Sequence, residues 1–190
     1  MEPSSTHLQQ LLRQVRRVDD RQQLAELLSR YGMAVDDRDF DTIGRLFAPD
    51  GEFHGIKGRQ QIVDYYRART STFTTSSHYA LTSHVDFASD DLASGVVNAH
   101  AELCIGGKTV RMALRYLDTY LRSAPGWVFQ RRLLKFRYVL PFDAVADGLD
   151  DPWRVRWPGS APRLADLPDT LQTYIDSRNV AITAAPPPNA

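Results

Sequence analysis

The first forty residues repeat their apolar positions at three- and four-residue intervals. Leu8, Leu11, Leu12 and Val15 do so within an otherwise polar stretch, so residues 1–18 are expected to form a loosely attached helical extension. Leu24, Leu28, Tyr31 and Val35, widened by Leu27, make one apolar stripe, which predicts an amphipathic helix from Asp19 to about Asp37. Asp39-Phe40-Asp41 reads as the cap of a short second helix that turns Ile43, Leu46 and Phe47 inward, and Pro49-Asp50-Gly51 ends it. A short strand, Glu52 to His54, follows. Beyond Gly58 a third helix over 59–70 buries Ile62, Val63 and Tyr66.

After Thr70 the texture changes to long strands. They are expected at 77–88, 93–105, 109–122 and 127–140. Between them lie the polar turn Ser89-Asp90-Asp91, then Gly106-Gly107, suited to the positive φ angles of a hairpin, and Ala124-Pro125-Gly126. Three N-terminal helices packed on a curved antiparallel sheet is an α+β arrangement. Such a sheet wraps the helices and leaves a pocket at its open end. From Pro141 the composition shifts to Pro, Gly, Asp and Trp. Within it, Asp166 to about Ser177 reads as a short helix, and the final AITAAPPPNA as disordered. The chain thus divides into a helical extension (1–18), one α+β domain (19–142) and a C-terminal extension (143–190) whose two tryptophans, Trp153 and Trp157, suggest docking.

Charge and composition remove several functions. The 23 Lys and Arg balance the 23 Asp and Glu, so net charge makes no case for nucleic acid or an anionic membrane. Arg131-Arg132 to Lys135-Arg137 reads as alternately exposed strand surface. Cys104 is the only cysteine, which excludes an intrachain disulfide and a cysteine-based zinc site. Five histidines occur with no HxH, HxxxH or HExxH pattern, so no metal is expected. The polar N-terminus lacks an apolar signal region, and no window approaches the ~20 apolar residues of a membrane span. A cytoplasmic location is the resulting expectation.

One pairing stands out chemically. Leu28, Gly32 and Asp36 lie one turn apart, so Asp36 sits at the edge of the buried stripe, where a carboxylate is expensive without a partner. His78 opens the first long strand. A carboxylate on one ring nitrogen fixes the tautomer and leaves the other nitrogen as a base, which gives proton abstraction without metal or cofactor. By spacing alone, Asp36-Asp37-Arg38-Asp39 reads more readily as a solvated loop, and His78 as a structural residue.

The run from Tyr31 to Asp41 (YGMAVDDRDFD), followed by Leu46-Phe-Ala-Pro-Asp50, resembles the opening of SnoaL-like proteins of the nuclear-transport-factor-2 (NTF2)-like superfamily. Scytalone dehydratase, hexachlorocyclohexane dehydrochlorinase and bile-acid dehydratase share this general pattern. Arg115 to Tyr120, then Gly126-Trp127 and Arg131-Arg132, resembles the family's last hairpin, and the similarity covers about residues 20–142. The resemblance implies an NTF2-like cone and a lyase in which an aspartate late in the first helix pairs with a histidine opening the first long strand. Asp36 and His78 match those positions by order and spacing. It also implies Tyr116 as a polar pocket residue, with Leu114 two residues earlier on the same face. Tyr31 faces the sheet as core or as a hydrogen-bond donor to substrate, and Phe53 closes the pocket from the short strand. Two departures count against a close analogue: Val35 stands where scytalone dehydratase has a pocket tyrosine, and the short strand has no aspartate of the ketosteroid-isomerase kind.

His84 has the strand parity of His78 but lies about 20 Å further along. His100 and Glu102 alternate with Val97, Ala99, Ala101 and Leu103. The favoured orientation puts them outward, toward a subunit interface; with the opposite orientation they support His78 from behind. The expected activity is a cofactor-independent, dehydratase-type lyase or cyclase acting on a small apolar polycyclic or aromatic metabolite. The expected assembly is a homodimer or homotrimer. A non-catalytic ligand-binding or assembly subunit, like the β subunit of ring-hydroxylating dioxygenases, is the alternative.

Overall fold

The computed structural model describes residues 5–184, and its first element is a single helix, α1 (Ser5–Asp36). The expected extension and first helix are therefore continuous, because no Gly or Pro interrupts the stretch before Gly32. Its first half carries Leu12, Val15 and Val18 exposed, and packing begins at Arg17, whose guanidinium lies 4.0 Å from the Phe87 ring centre, and deepens at Asp20. There the buried carboxylate accepts bonds from Arg122 (2.5 Å) and the Trp127 indole (3.0 Å), pinning α1 to the last hairpin. Leu24, Leu27, Leu28, Tyr31 and Val35 are buried beyond it, as the stripe predicted.

Asp39 caps α2 (Phe40–Leu46), accepting from the Thr42 amide at 2.9 Å. The chain then enters β1 (Phe47–Phe53) and β2 (Ile56–Lys57). Gly58, at φ 94°, turns it into α3 (Arg59–Thr70). Arg59 ties the start of α3 to β1 through two bonds to the Phe47 carbonyl, at 3.0 and 2.8 Å.

Four long strands follow: β3 (Phe73–Phe87), β4 (Leu92–Ile105), β5 (Lys108–Ser123) and β6 (Gly126–Pro141). The sheet order is β2-β1-β6-β5-β4-β3, antiparallel throughout the meander, with β1 parallel to β6. Gly106 and Gly107 supply the positive φ of the β4–β5 hairpin. Along β4, Ala93, Val97, Ala99, Ala101 and Leu103 are buried against the helices, alternating with residues on the outer face.

Beyond β6 come a 3-10 turn (Phe142–Ala144), a short α4 (Val145–Gly148), and α5 (Gln172–Ala184). The last helix starts six residues later than expected and extends into the stretch read as disordered. The remainder of that stretch, 185–190, and residues 1–4 lie outside the described residues. The segment between α4 and α5 docks on β6: Val155 bridges to Val139 and to Arg163, and the Asp166 amide and carboxylate bond the main chain of Phe136 at 2.9 and 2.8 Å. Ala165 and Leu167 are buried beneath it. No helix among the described residues is long and apolar enough to cross a membrane.

Candidate active site

Asp36 ends α1, where the helix dipole disfavours negative charge. Three donors offset that placement. The Ser76 hydroxyl (2.8 Å) and the His78 ring Nδ1 (2.6 Å) both meet Asp36 Oδ1, and the His78 amide donates to Oδ2 at 2.7 Å. Partial burial pushes the carboxyl upward, but the His78 ring and its charge, the Ser76 hydroxyl and the His78 amide outweigh that effect and hold it below its ordinary value. An ionised carboxylate only accepts, so Nδ1 carries the proton. Nε2 is left with no hydrogen-bond partner among the described residues, and His78 lines a cavity.

The close approach of α1 to β3 depends on Gly32. A Cβ there would stand 3.1 Å from the His78 carbonyl oxygen, tighter than ordinary van der Waals contact. His78 faces inward beside Ala101 of β4.

The cavity has a volume of about 430 Å³ and lies between α1, α3 and the concave face of the sheet. Tyr31, Phe53, Leu114 and Tyr116 all line it together with His78. The Tyr31 and Tyr66 hydroxyls are 2.5 Å apart, and the Tyr31 ring meets Tyr66 and Tyr116 edge-on at 6.2 and 6.0 Å. Burial raises the pKa of all three phenols, so they remain protonated donors at neutral pH. Beneath Tyr31 and Tyr116 lies the Arg132 guanidinium, 4.3 and 3.9 Å from their ring centres. It forms a buried two-pronged pair with Asp118 at 2.9 and 2.8 Å, and Tyr120 donates to the same carboxylate at 2.8 Å. Among the described residues, no group of three or more His, Cys, Asp or Glu side chains is placed to hold a metal ion.

The favoured outward orientation of His100 and Glu102 holds, and two other expectations are corrected here. His100 and Glu102 occupy the outer face of β4, where His100 packs near Tyr138 and Glu102 pairs with Arg111 at 3.8 Å. The sheet itself separates them from His78, which removes them as its supporting partners. A bulge between Ala80 and Thr82 reverses the parity of β3, so His84 pairs across from Val96 on the outer face and bonds Asp86 at 3.2 Å. Arg132 is 1% exposed, not strand surface, because Asp118 stands directly opposite it on β5. Four of the cavity residues missed in the sequence show what was and was not legible. Tyr65 and Arg69 share a helical face with Tyr66, a signal that i, i+3 and i+4 spacing carried. Trp157 and Arg163 reach the cavity from the docked C-terminal segment, whose position no periodicity encodes.

A curved sheet wrapped around helices, with a carboxylate–imidazole pair facing an aromatic cavity, defines a class of small α+β cones suited to acid–base chemistry. The chain belongs to the SnoaL-like domain family of the NTF2-like superfamily, whose sequence pattern matches residues 16–133. The uncharacterized protein Rv2910c of Mycobacterium tuberculosis is 27% identical over 127 residues, covering 63% of this chain and 86% of that protein. Among solved structures, the hexachlorocyclohexane dehydrochlorinase LinA-type3 of Novosphingobium barchaimii superposes with a TM-score of 0.64 at 21% identity, over 70% of this chain and 96% of its own. A scytalone dehydratase-like protein of Novosphingobium aromaticivorans gives 0.64 at 18% identity, over 68% and 91%. At these identities the structural likeness establishes the fold.

Proposed function

We propose that this protein is a cofactor-independent lyase or cyclase of the dehydratase type, with a small, largely apolar polycyclic or aromatic metabolite as substrate. The observation that carries the reading is the 2.6 Å bond between Asp36 and His78 Nδ1, which leaves Nε2 free at the wall of the cavity. In the dehydration reading, Nε2 takes a proton from a carbon next to a carbonyl, and the electron pair of that C–H bond passes into an enolate. The carbon–carbon double bond forms as the β-hydroxyl departs. The imidazolium returns its proton to that oxygen, so water leaves and the base is regenerated. Asp36 holds the ring and stabilises its charged form, while the Tyr31 or Tyr116 hydroxyl donates to the substrate oxygen. The dehydrochlorinase and dehydratase names of the structural neighbours are in keeping with elimination chemistry.

Turnover of a screened panel of β-hydroxy ketones and related cyclic substrates tests the reading. His78→Ala is expected to abolish turnover with an unchanged circular-dichroism spectrum. Tight ligand binding without conversion by the unaltered chain, or turnover indifferent to His78→Ala, would replace this reading with that of a binding module. A homodimer or homotrimer belongs to the same proposal: Val96 and Leu117, paired across β4 and β5, leave apolar surface on the outer face. Light scattering on the purified chain checks this, and a mass of one 21.5 kDa chain would exclude it.

A further inference from the structure

Two arginines at the cavity wall have no role in proton transfer. Arg69, at the end of α3, and Arg163, on the docked C-terminal segment, both line the cavity, whose other titratable walls are His54, His78 and tyrosines. No Asp or Glu among the described residues lines it. The Arg69 guanidinium lies 4.9 Å from the Phe73 ring centre and 4.8 Å from that of Trp157. Those stacks hold the group in place without consuming its N–H donors, and it forms no ion pair or side-chain hydrogen bond among the described residues. Arg163 has one acid near it, Asp166 at 3.8 Å. That carboxylate is already shared with the Phe136 amide at 2.8 Å and with Lys135 at 3.9 Å. His54 adds no opposing charge: burial depresses its pKa, Asp166 raises it, and Arg163 and Lys135 depress it further, so the ring is neutral at pH 7.

A partly buried guanidinium with no acid is costly, and an anion supplied by a ligand repays that cost through a planar, two-pronged contact. Phe73, on which Arg69 stacks, precedes His78 by five residues of β3, at most about 16 Å along a strand whose register shifts between Phe73 and Thr75. The positive end of the cavity is thus set apart from the base.

We infer that Arg69 and Arg163 form a subsite for a carboxylate, so that the ligand is an amphipathic acid with its apolar body between the aromatic walls. This rests on the reading of the cavity as the substrate site, and it narrows the substrate from any apolar metabolite to one bearing an anionic group away from the reacting carbon.

The test needs no substrate. Calorimetric titration of the full chain at pH 7 compares 2-naphthoate with its neutral isostere, 2-naphthamide. The unaltered protein is expected to bind the carboxylate about tenfold tighter or better. Arg69→Gln and Arg163→Gln each shrink that preference, and the double variant erases it. Raising salt from about 50 to 500 mM narrows the gap in the unaltered chain. Equal affinity for the two ligands, a preference that survives in the double variant, or no binding of either at about 1 mM overturns the inference. His78→Ala separates the two proposals. A carboxylate preference lost in His78→Ala and kept in the arginine variants would put the anion on the imidazole and overturn the subsite. A chain without turnover that still prefers naphthoate through its arginines would keep the subsite and sink proton abstraction.

Discussion

Asp36 stands at the end of a helix where a carboxylate is least welcome, and everything around it compensates. Its pKa in the folded chain lies below the ordinary 3.8, so the linkage has a definite sign. The group adds stability above that pH and ceases to do so as pH falls through its lower folded value. Asp36→Asn is therefore expected to flatten the loss of Tm below about pH 4, measured by thermal melts across pH; an equally steep fall in the variant would remove Asp36 as its source. On turnover the same substitution is expected to cost roughly 10²–10⁴-fold in kcat, because an amide neither stabilises the imidazolium nor fixes the same tautomer. At this scale the sequence was informative about position and silent about partners. The i, i+4 relation of Gly32 and Asp36 was legible, whereas the Ser76 hydroxyl on Asp36 depends on how β3 lies across α1, which spacing along one element does not encode.

Between elements, two devices set the geometry. The first is Gly32, which lets α1 approach β3 closely enough for the carboxylate to span the His78 amide and ring together. Gly32→Val is expected to push the elements apart and lower kcat about tenfold to a hundredfold, with far-UV circular dichroism unchanged. Full activity in that variant would show that the contact tolerates a side chain. The second is the buried Asp118–Arg132 pair linking β5 to β6 under the tyrosines. Asp118→Ala leaves a guanidinium uncompensated in the interior and is expected to cost about 3–5 kcal/mol in urea unfolding. A cost below about 1 kcal/mol would mean that the arginine finds water. The boundaries of the four long strands were readable to within about four residues because period-2 alternation and the glycine turns agree, whereas β1 begins at Phe47, within the stretch expected to end the second helix. Two other features were not readable. The bulge between Ala80 and Thr82 flips His84 outward with no glycine or proline to announce it, and Arg132 sits in a strand whose alternation suggested surface. A buried ion pair has the sequence appearance of an exposed one.

Taken whole, the molecule completes its cavity with a segment that follows the sheet. Phe136 meets Trp157 edge-on at 5.9 Å, and Asp166 fastens the segment to the main chain of β6. Trp157→Ala is expected to weaken the binding of aromatic ligands about tenfold to a hundredfold, since about 1.5–3 kcal/mol accompanies burial of a large apolar side chain against its neighbours. The His78-dependent step should keep its pH profile; a shifted profile would mean that Trp157 also shapes the environment of the base. The sequence suggested docking of this region through its tryptophans, but its landing site depends on long-range pairing between Val139 and Val155 that no local pattern announces.

The dyad lies within residues 16–133, the part that matches the family pattern, whereas Phe136, Trp157 and Arg163 come after it. On the proposed reading, the base and one arginine of the carboxylate subsite lie together in the family-matching stretch, while the second arginine and Trp157 arrive from a later one. A relative given residues 142–178 of this chain would thus acquire half of the anion's seat and would prefer acids only where its own third helix already offers a counterpart of Arg69.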